Sequence, residues 1–318
     1  MSIIEQATKR LETLSKAGVS IPWNLTGIAV GEMRRRIDES SEDARAAADR
    51  APSPIASPKA PSIAATTEIG PSWSRPLREP KTVSLDLERL ERIGHLVPTG
   101  TRSRLSEEFR HIKRPLLENA RAAQPQERQS LIMVTSALPA EGKTYCAINL
   151  ARSMALEIDT SVILVDADVL RPGVLDRLGI PSPQKGLLDV LTQANVDFDD
   201  VLLKTNVPKL SILPAGTNNA RSSELLASEA MDRLLQRLLE EYSSSIVVFD
   251  APPLLPTMEA KVLASHMGQI ILVVEASRTP RRAVERALGF IDRCPCVMTV
   301  LNKAEEPLDN QGYADYYG

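Results

Sequence analysis

One stretch of about twenty residues restricts this chain more than any other. A run of apolar residues, Leu131–Ser136, leads into Ala137-Leu-Pro-Ala-Glu-Gly142-Lys143-Thr144, and a helix-forming segment, Lys143–Leu156, follows directly. This is the phosphate-binding loop pattern with Ala in place of its first Gly, in the strand–loop–helix setting that gives the motif meaning. Backbone N–H groups of such a loop and of the helix N-terminus point at phosphate oxygens. Lys143 is then expected to reach the β- and γ-phosphates and Thr144 to ligate Mg²⁺. Gly142 allows the backbone to come close to the phosphates. Ala140 to Tyr145 are the expected nucleotide-contacting residues.

The rest of the second half supports that frame. Short β-branched runs at Ser161–Val165, Leu210–Leu213, Ser245–Phe249, Gln269–Glu275 and Cys296–Leu301 alternate with helical patterns at Ser223–Tyr242, Thr257–His266 and Pro280–Asp292. Strands alternating with helices predict a mostly parallel sheet covered on both faces, an α/β fold of P-loop NTPase type. The near-continuous apolar strands agree, since such strands are buried on both sides. Two of them end in carboxylates: Val165-Asp166-Ala167-Asp168 and Phe249-Asp250-Ala251-Pro252. The C-terminal edge of a parallel sheet is where ligands bind. An unpaired carboxylate is costly there unless a metal and phosphates justify it. Asp250 fits a residue that holds Mg²⁺ through water. Asp166 and Asp168 fit a pair in which one organises the metal and the other accepts a proton from an attacking hydroxyl. The plainer alternative for Asp168 is a helix cap. Arg171 either neutralises phosphate or lies on the surface.

Upstream, the chain changes character. Residues 1–37 form an N-terminal segment in which Ile4, Ala7, Leu11 and Leu14 recur at helical spacing. Residues 38–82 carry seven prolines among Ala, Ser and charges, a composition expected to be disordered. Residues 83–306 form the nucleotide-binding domain, opening with helical segments over 83–121 that Pro115 interrupts once. Residues 307–318 form a tail. No apolar stretch approaches the roughly 20 residues of a membrane-spanning helix, and residues 1–18 lack a signal-peptide core, so a cytoplasmic location is expected. A net charge of −3 gives no reason to expect nucleic-acid binding. Three cysteines, Cys146, Cys294 and Cys296, with only three His, fit small buried residues in a reducing compartment.

Taken together, Thr135–Thr144, Val162–Arg171 and Ile246–Pro253 resemble the Walker A, A′ and B motifs of the bacterial tyrosine kinases, the cytoplasmic autokinases of polysaccharide synthesis. The resemblance spans roughly residues 100–318. The segment Ser2-Ile-Ile-Glu-Gln-Ala-Thr-Lys-Arg-Leu-Glu resembles the exosortase-associated exopolysaccharide subgroup. It implies ATP and Mg²⁺ as cofactors, with Lys143, Asp166, Asp168 and Asp250 as the catalytic set. Glu107-Glu-Phe-Arg110-His-Ile-Lys113 is similar to the family's Glu-x-x-Arg-x-x-Arg oligomerisation motif. The spacing of three is expected to put Glu107, Arg110 and Lys113 on one helical face, and the similarity implies that this face meets a neighbour and builds a ring. Three of the five tyrosines, Tyr313, Tyr316 and Tyr317, fall in the last six residues, as in the family's autophosphorylated tail. The family also implies a membrane-embedded polysaccharide chain-length activator, peripheral attachment at the inner face of the membrane through it, and an opposing tyrosine phosphatase. In related P-loop folds an Asn at the position of Asn302 reads the nucleobase; the alternative is a strand-ending turn residue.

The sequence departs from the family pattern at Ala140, usually Gly, at Lys113, usually Arg, and in the spacing of Arg171. A partition or septum-site ATPase, cycling between monomer and dimer, shares the same core. Leu138 stands where that group has its signature lysine. A regulatory module that binds nucleotide without turnover is the third reading.

Overall fold

The computed structural model describes residues 81–96, 103–123, 128–182, 184–193 and 195–304. The N-terminal helical pattern, nearly all of the Pro-rich segment and the tyrosine tail lie outside the described residues. The chain divides into two units, Met1–Arg75 and Pro76–Gly318, and every described residue belongs to the second.

Strand β1 (Thr82–Val83) is followed by helices α1 (Leu87–Arg92) and α2 (Arg104–Ala122). Then come β2 (Leu131–Ser136), α3 (Lys143–Ala155), β3 (Ser161–Asp166), α4 (Val174–Leu178), α5 (Leu187–Thr192), α6 (Phe198–Val201), β4 (Leu203–Thr205) and β5 (Leu210–Leu213). The last third holds α7 (Ser222–Leu226), α8 (Glu229–Glu241), β6 (Ser245–Asp250), α9 (Met258–Ala264), β7 (Gln269–Glu275), α10 (Arg281–Leu288) and β8 (Cys296–Asn302). The strands form one sheet in the order β1-β4-β5-β3-β6-β2-β7-β8. Every pairing is parallel except β4 with β5.

The side-chain period of two explains why the central strands carry no polar face. Leu131 and Met133 of β2, Ile163 and Val165 of β3, and Val247 and Phe249 of β6 pack on one side with Met231, Leu234, Leu235 and Leu238 of α8. Ile132, Val134, Val162, Leu164, Ile246 and Val248 pack on the other with Ile148 and Leu150 of α3 and Phe109, Leu116 and Leu117 of α2. Both layers must be covered, so helices lie on both faces. Fully burying each such side chain is worth about 1.5–3 kcal/mol.

Helix α2 runs unbroken through Pro115, whereas the sequence predicted an interruption there. An internal Pro costs about 3 kcal/mol. Phe109, Leu116 and Leu117 all lie under 6% exposed on the α3 face, and their burial outweighs that cost. The predicted helix over 223–242 is two helices. Ser228 has an extended backbone at ψ 159°, and its hydroxyl donates to Leu225 O at 2.7 Å, which ends α7 and restarts the chain as α8.

Candidate active site

β2, β3 and β6 are neighbours, so their C-terminal ends deliver the loop and the carboxylates to one place. Asp166 and Asp250 stand opposite each other in register. Helix α3 opens at Gly142, which takes a left-handed φ of 100°. A Cβ there would sit 2.0 Å from Asn302 Nδ2, so a side chain would be strained in φ and would push the Asn302 amide away from the loop. Ala140 also takes a positive φ, 68°.

Lys143 Nζ donates to Asp168 Oδ2 at 2.6 Å and lies 4.0 Å from Asp250 Oδ1. Asp168 uses its other oxygen to accept the Arg171 N–H at 3.2 Å, so it caps the turn and pairs with the loop lysine at once. Asp166 Oδ2 accepts the N–H groups of Gly173 (3.1 Å) and Val174 (3.0 Å) at the start of α4. Among the described residues, its Oδ1 and both oxygens of Asp250 are buried without a hydrogen-bond partner of good geometry, although the Thr144 hydroxyl lies close enough to Asp250 to favour its ionised form. Burial raises the Asp166 carboxyl well above its ordinary range, and the facing Asp250 raises it further while the Val174 N–H opposes. Burial likewise raises Asp250, against the nearby Lys143 charge.

Among the described residues no group of three or more His, Cys, Asp or Glu could hold a metal. Two carboxylates with free oxygens suit Mg²⁺, which binds through one or two carboxylates and completes its shell with phosphate oxygens and water.

A cavity of about 550 Å³ opens beside the loop, lined by Ala140, Gly142, Lys143, Thr144, Tyr145, Arg177, Asn302 and Lys303. Glu141 does not line it. Glu141 is 2% exposed, and its carboxylate accepts the Leu138 N–H at 2.7 Å and the Thr279 hydroxyl. Tyr145 donates its hydroxyl to Gly94 O at 2.7 Å and lays its ring 5.0 Å from that of His95. Asn302 donates Nδ2 to Glu141 O at 2.8 Å. Arg171 is exposed and outside the lining. Arg177 and Lys303 are the two cavity residues that sequence reasoning passed over. No motif flags them: Arg177 arrives through the turn capped by Asp166, and Lys303 through the end of β8.

Of the face expected on α2, Glu107 and Arg110 pair with each other at 3.2 Å on the surface. Lys113 does not join them. It is 8% exposed, with Nζ on Ser153 O at 2.7 Å and Glu157 Oε1 at 2.7 Å. The reason is geometric: each step of three residues turns back about 60°, so six residues displace Lys113 by about 120° from Glu107. All three cysteines are free; burial pushes the Cys146 thiol up to about 12 and Cys294 to about 11, which leaves neither a ready nucleophile.

A strand-edge phosphate loop backed by two strand-end carboxylates defines a P-loop nucleotide-binding domain. A family model described as an AAA domain matches residues 131–296, more than half of the chain, and the chain belongs to that family. It is 34% identical over 239 residues to the succinoglycan biosynthesis transport protein ExoP of Rhizobium meliloti (strain 1021), covering 73% of this chain and 29% of that protein. It is 27% identical over 220 residues to the tyrosine-protein kinase YwqD of Bacillus subtilis (strain 168), covering 69% of this chain and 89% of that one. The VpsO kinase domain is 28% identical with a TM-score of 0.50, covering 61% of this chain and 98% of the domain. The kinase domain of the Escherichia coli tyrosine kinase ETK, 20% identical, shares the fold with a TM-score of 0.57, covering 71% and 90%. The chain's relatives thus include a succinoglycan biosynthesis transport protein and a protein named a tyrosine-protein kinase.

Proposed function

We propose that this chain is an ATP-dependent protein-tyrosine autokinase of exopolysaccharide synthesis, which phosphorylates Tyr313, Tyr316 and Tyr317 of a neighbouring copy. The observation that carries the reading is the Lys143–Asp168 pair at 2.6 Å, set between the phosphate loop and the unpaired oxygens of Asp166 and Asp250. The names of the relatives support a kinase over a partition-type ATPase.

Nucleotide phosphates compete with Asp168 for the Lys143 ammonium. As Lys143 turns to the β- and γ-phosphates, Asp168 is released as a carboxylate at the site edge. It then accepts the tyrosine hydroxyl proton as the phenolic oxygen bonds to the γ-phosphorus and the bond to the β-phosphate oxygen breaks, leaving ADP. Bound Mg²⁺, held by Thr144, Asp166 and Asp250, would neutralise charge on the transferring group. Arg177 and Lys303 add positive charge at the cavity rim, and Tyr145 and Asn302 border the nucleoside. Little covalent chemistry is left to the protein, so catalysis is positioning and electrostatics.

Transfer between copies calls for assembly, with Glu107 and Arg110 on the contact face. Phosphotyrosines add about −1.5 to −2 charges each, so loaded tails repel one another and release the assembly until a phosphatase resets them. No helix of the described residues is long and apolar enough to cross a membrane. A membrane-embedded chain-length protein as activator would hold the kinase at the inner face.

A mixing experiment tests the reading. Lys143→Met retains the tyrosines without the phosphate lysine; Tyr313→Phe/Tyr316→Phe/Tyr317→Phe retains the site without the acceptors. With ATP, Mg²⁺ and the activator's cytoplasmic segment, phosphotyrosine should appear on the Lys143→Met chain only in the mixture. ADP release with no phosphotyrosine in any sample would replace the kinase with a nucleotide-cycling ATPase.

A further inference from the structure

The phosphate loop is held in a conformation its own sequence disfavours. Ala140 lies at φ 68°, where a Cβ crowds the following carbonyl. Such backbone persists only where its surroundings over-determine it. Five non-Gly described residues have positive φ, and two of them, Ala140 and Lys303, are joined by a hydrogen bond. The support therefore comes from the ends of β7 and β8.

Two arms reach across. In one, Thr279 Oγ1 accepts the Glu275 N–H at 3.1 Å and donates to the Glu141 carboxylate. The second oxygen of that carboxylate accepts the Leu138 N–H at 2.7 Å, closing the base of the loop. In the other, Lys303 Nζ donates to Ala140 O at 2.8 Å and pairs with Glu275 at 3.2 Å. Asn302 adds a bond to Glu141 O at 2.8 Å. A trans peptide sets its C=O and the next N–H on opposite sides. Fixing the Ala140 and Glu141 carbonyls toward β8 thus turns the Glu141 and Gly142 N–H groups the other way.

We propose that Thr279 is a positioning residue for phosphate binding. Through Glu141 it holds the Ala140–Gly142 turn in its anion-accepting form, while itself lying outside the cavity lining. This rests on the reading that the loop binds nucleotide, and it adds to it a route by which the segment between β7 and α10 sets nucleotide affinity.

The test is titration of fluorescent ADP into wild type, Thr279→Val, Thr279→Ser and Thr279→Val/Ala140→Gly, with thermal midpoints recorded alongside. Losing one hydrogen bond to a buried carboxylate should weaken ADP binding about tenfold in Thr279→Val. Thr279→Ser keeps the hydroxyl and should bind as wild type. The double variant should recover most of the loss, because Gly takes the left-handed turn unaided. Thr279→Ala carries the same test should the valine variant not fold. Unchanged affinity with a lowered midpoint overturns the proposal, as does a loss that Ala140→Gly leaves unrescued. A wild type that fails to bind ADP overturns the nucleotide reading itself, which separates the two failures.

Discussion

Ala140 shows how a single methyl group can set the terms of a site. Its φ of 68° costs about 1 kcal/mol relative to Gly. Ala140→Gly is therefore expected to raise the stability of the ligand-free chain by about 1 kcal/mol in a chemical unfolding series. No gain would mean that the turn is unstrained. The carboxylates give a second prediction at this scale. Asp166 and Asp250 are both harder to ionise in the folded chain than when unfolded. The folded state then holds protons that the unfolded state has released. Stability from these groups is fully present below the ordinary carboxylate range and is lost as pH rises through their raised folded values toward neutrality. Asp250→Asn should flatten much of that fall and stabilise the empty protein at neutral pH, while abolishing phosphotransfer. Parallel pH–stability curves for wild type and variant would contradict it.

At the scale of elements, α2 and α3 are joined by charge as well as by apolar packing. Lys113 ties Glu157 and the Ser153 carbonyl at the end of α3, so Lys113→Met should cost about 1–3 kcal/mol by leaving both partners unpaired. On the same helix, one residue before Ser153, Arg152 has the opposite effect. It is 2% exposed, none of its guanidinium nitrogens has a partner among the described residues, and burial lowers its pKa to about 10. Arg152→Met is expected to stabilise the chain by about 1 kcal/mol or more in the same unfolding series; destabilisation would reveal a partner in solution. Neither relationship was legible in the sequence. Helical spacing of three put Lys113 beside Arg110, and only the accumulated rotation, with α3 packed on that side, turns it inward. The main strands, by contrast, were legible to within a residue, because a strand buried on both faces must be apolar throughout. Short elements such as α5, α6 and β4 carry too few residues for a period to emerge, and they form where Leu187, Leu188, Phe198 and Leu203 pack into the two apolar layers.

For the whole molecule, topology places the site. Strand order brings the loop after β2 between the ends of β6 and β7, and register sets Asp166 against Asp250. The motifs named the loop, the lysine and the three aspartates, because each lies in a fixed strand-end context. Arg177, Lys303 and Thr279 reach the site through turns whose geometry depends on tertiary contacts, so no local pattern announces them. The activity proposed for this site is phosphate transfer from ATP to the chain's own tyrosines. Intact-mass spectrometry tests it most directly, on protein incubated with ATP, Mg²⁺ and the cytoplasmic segment of the activator. The wild type should gain phosphates, and both Lys143→Met alone and the variant lacking Tyr313, Tyr316 and Tyr317 should gain none. A wild type that releases ADP while its mass stays unchanged would contradict the kinase assignment.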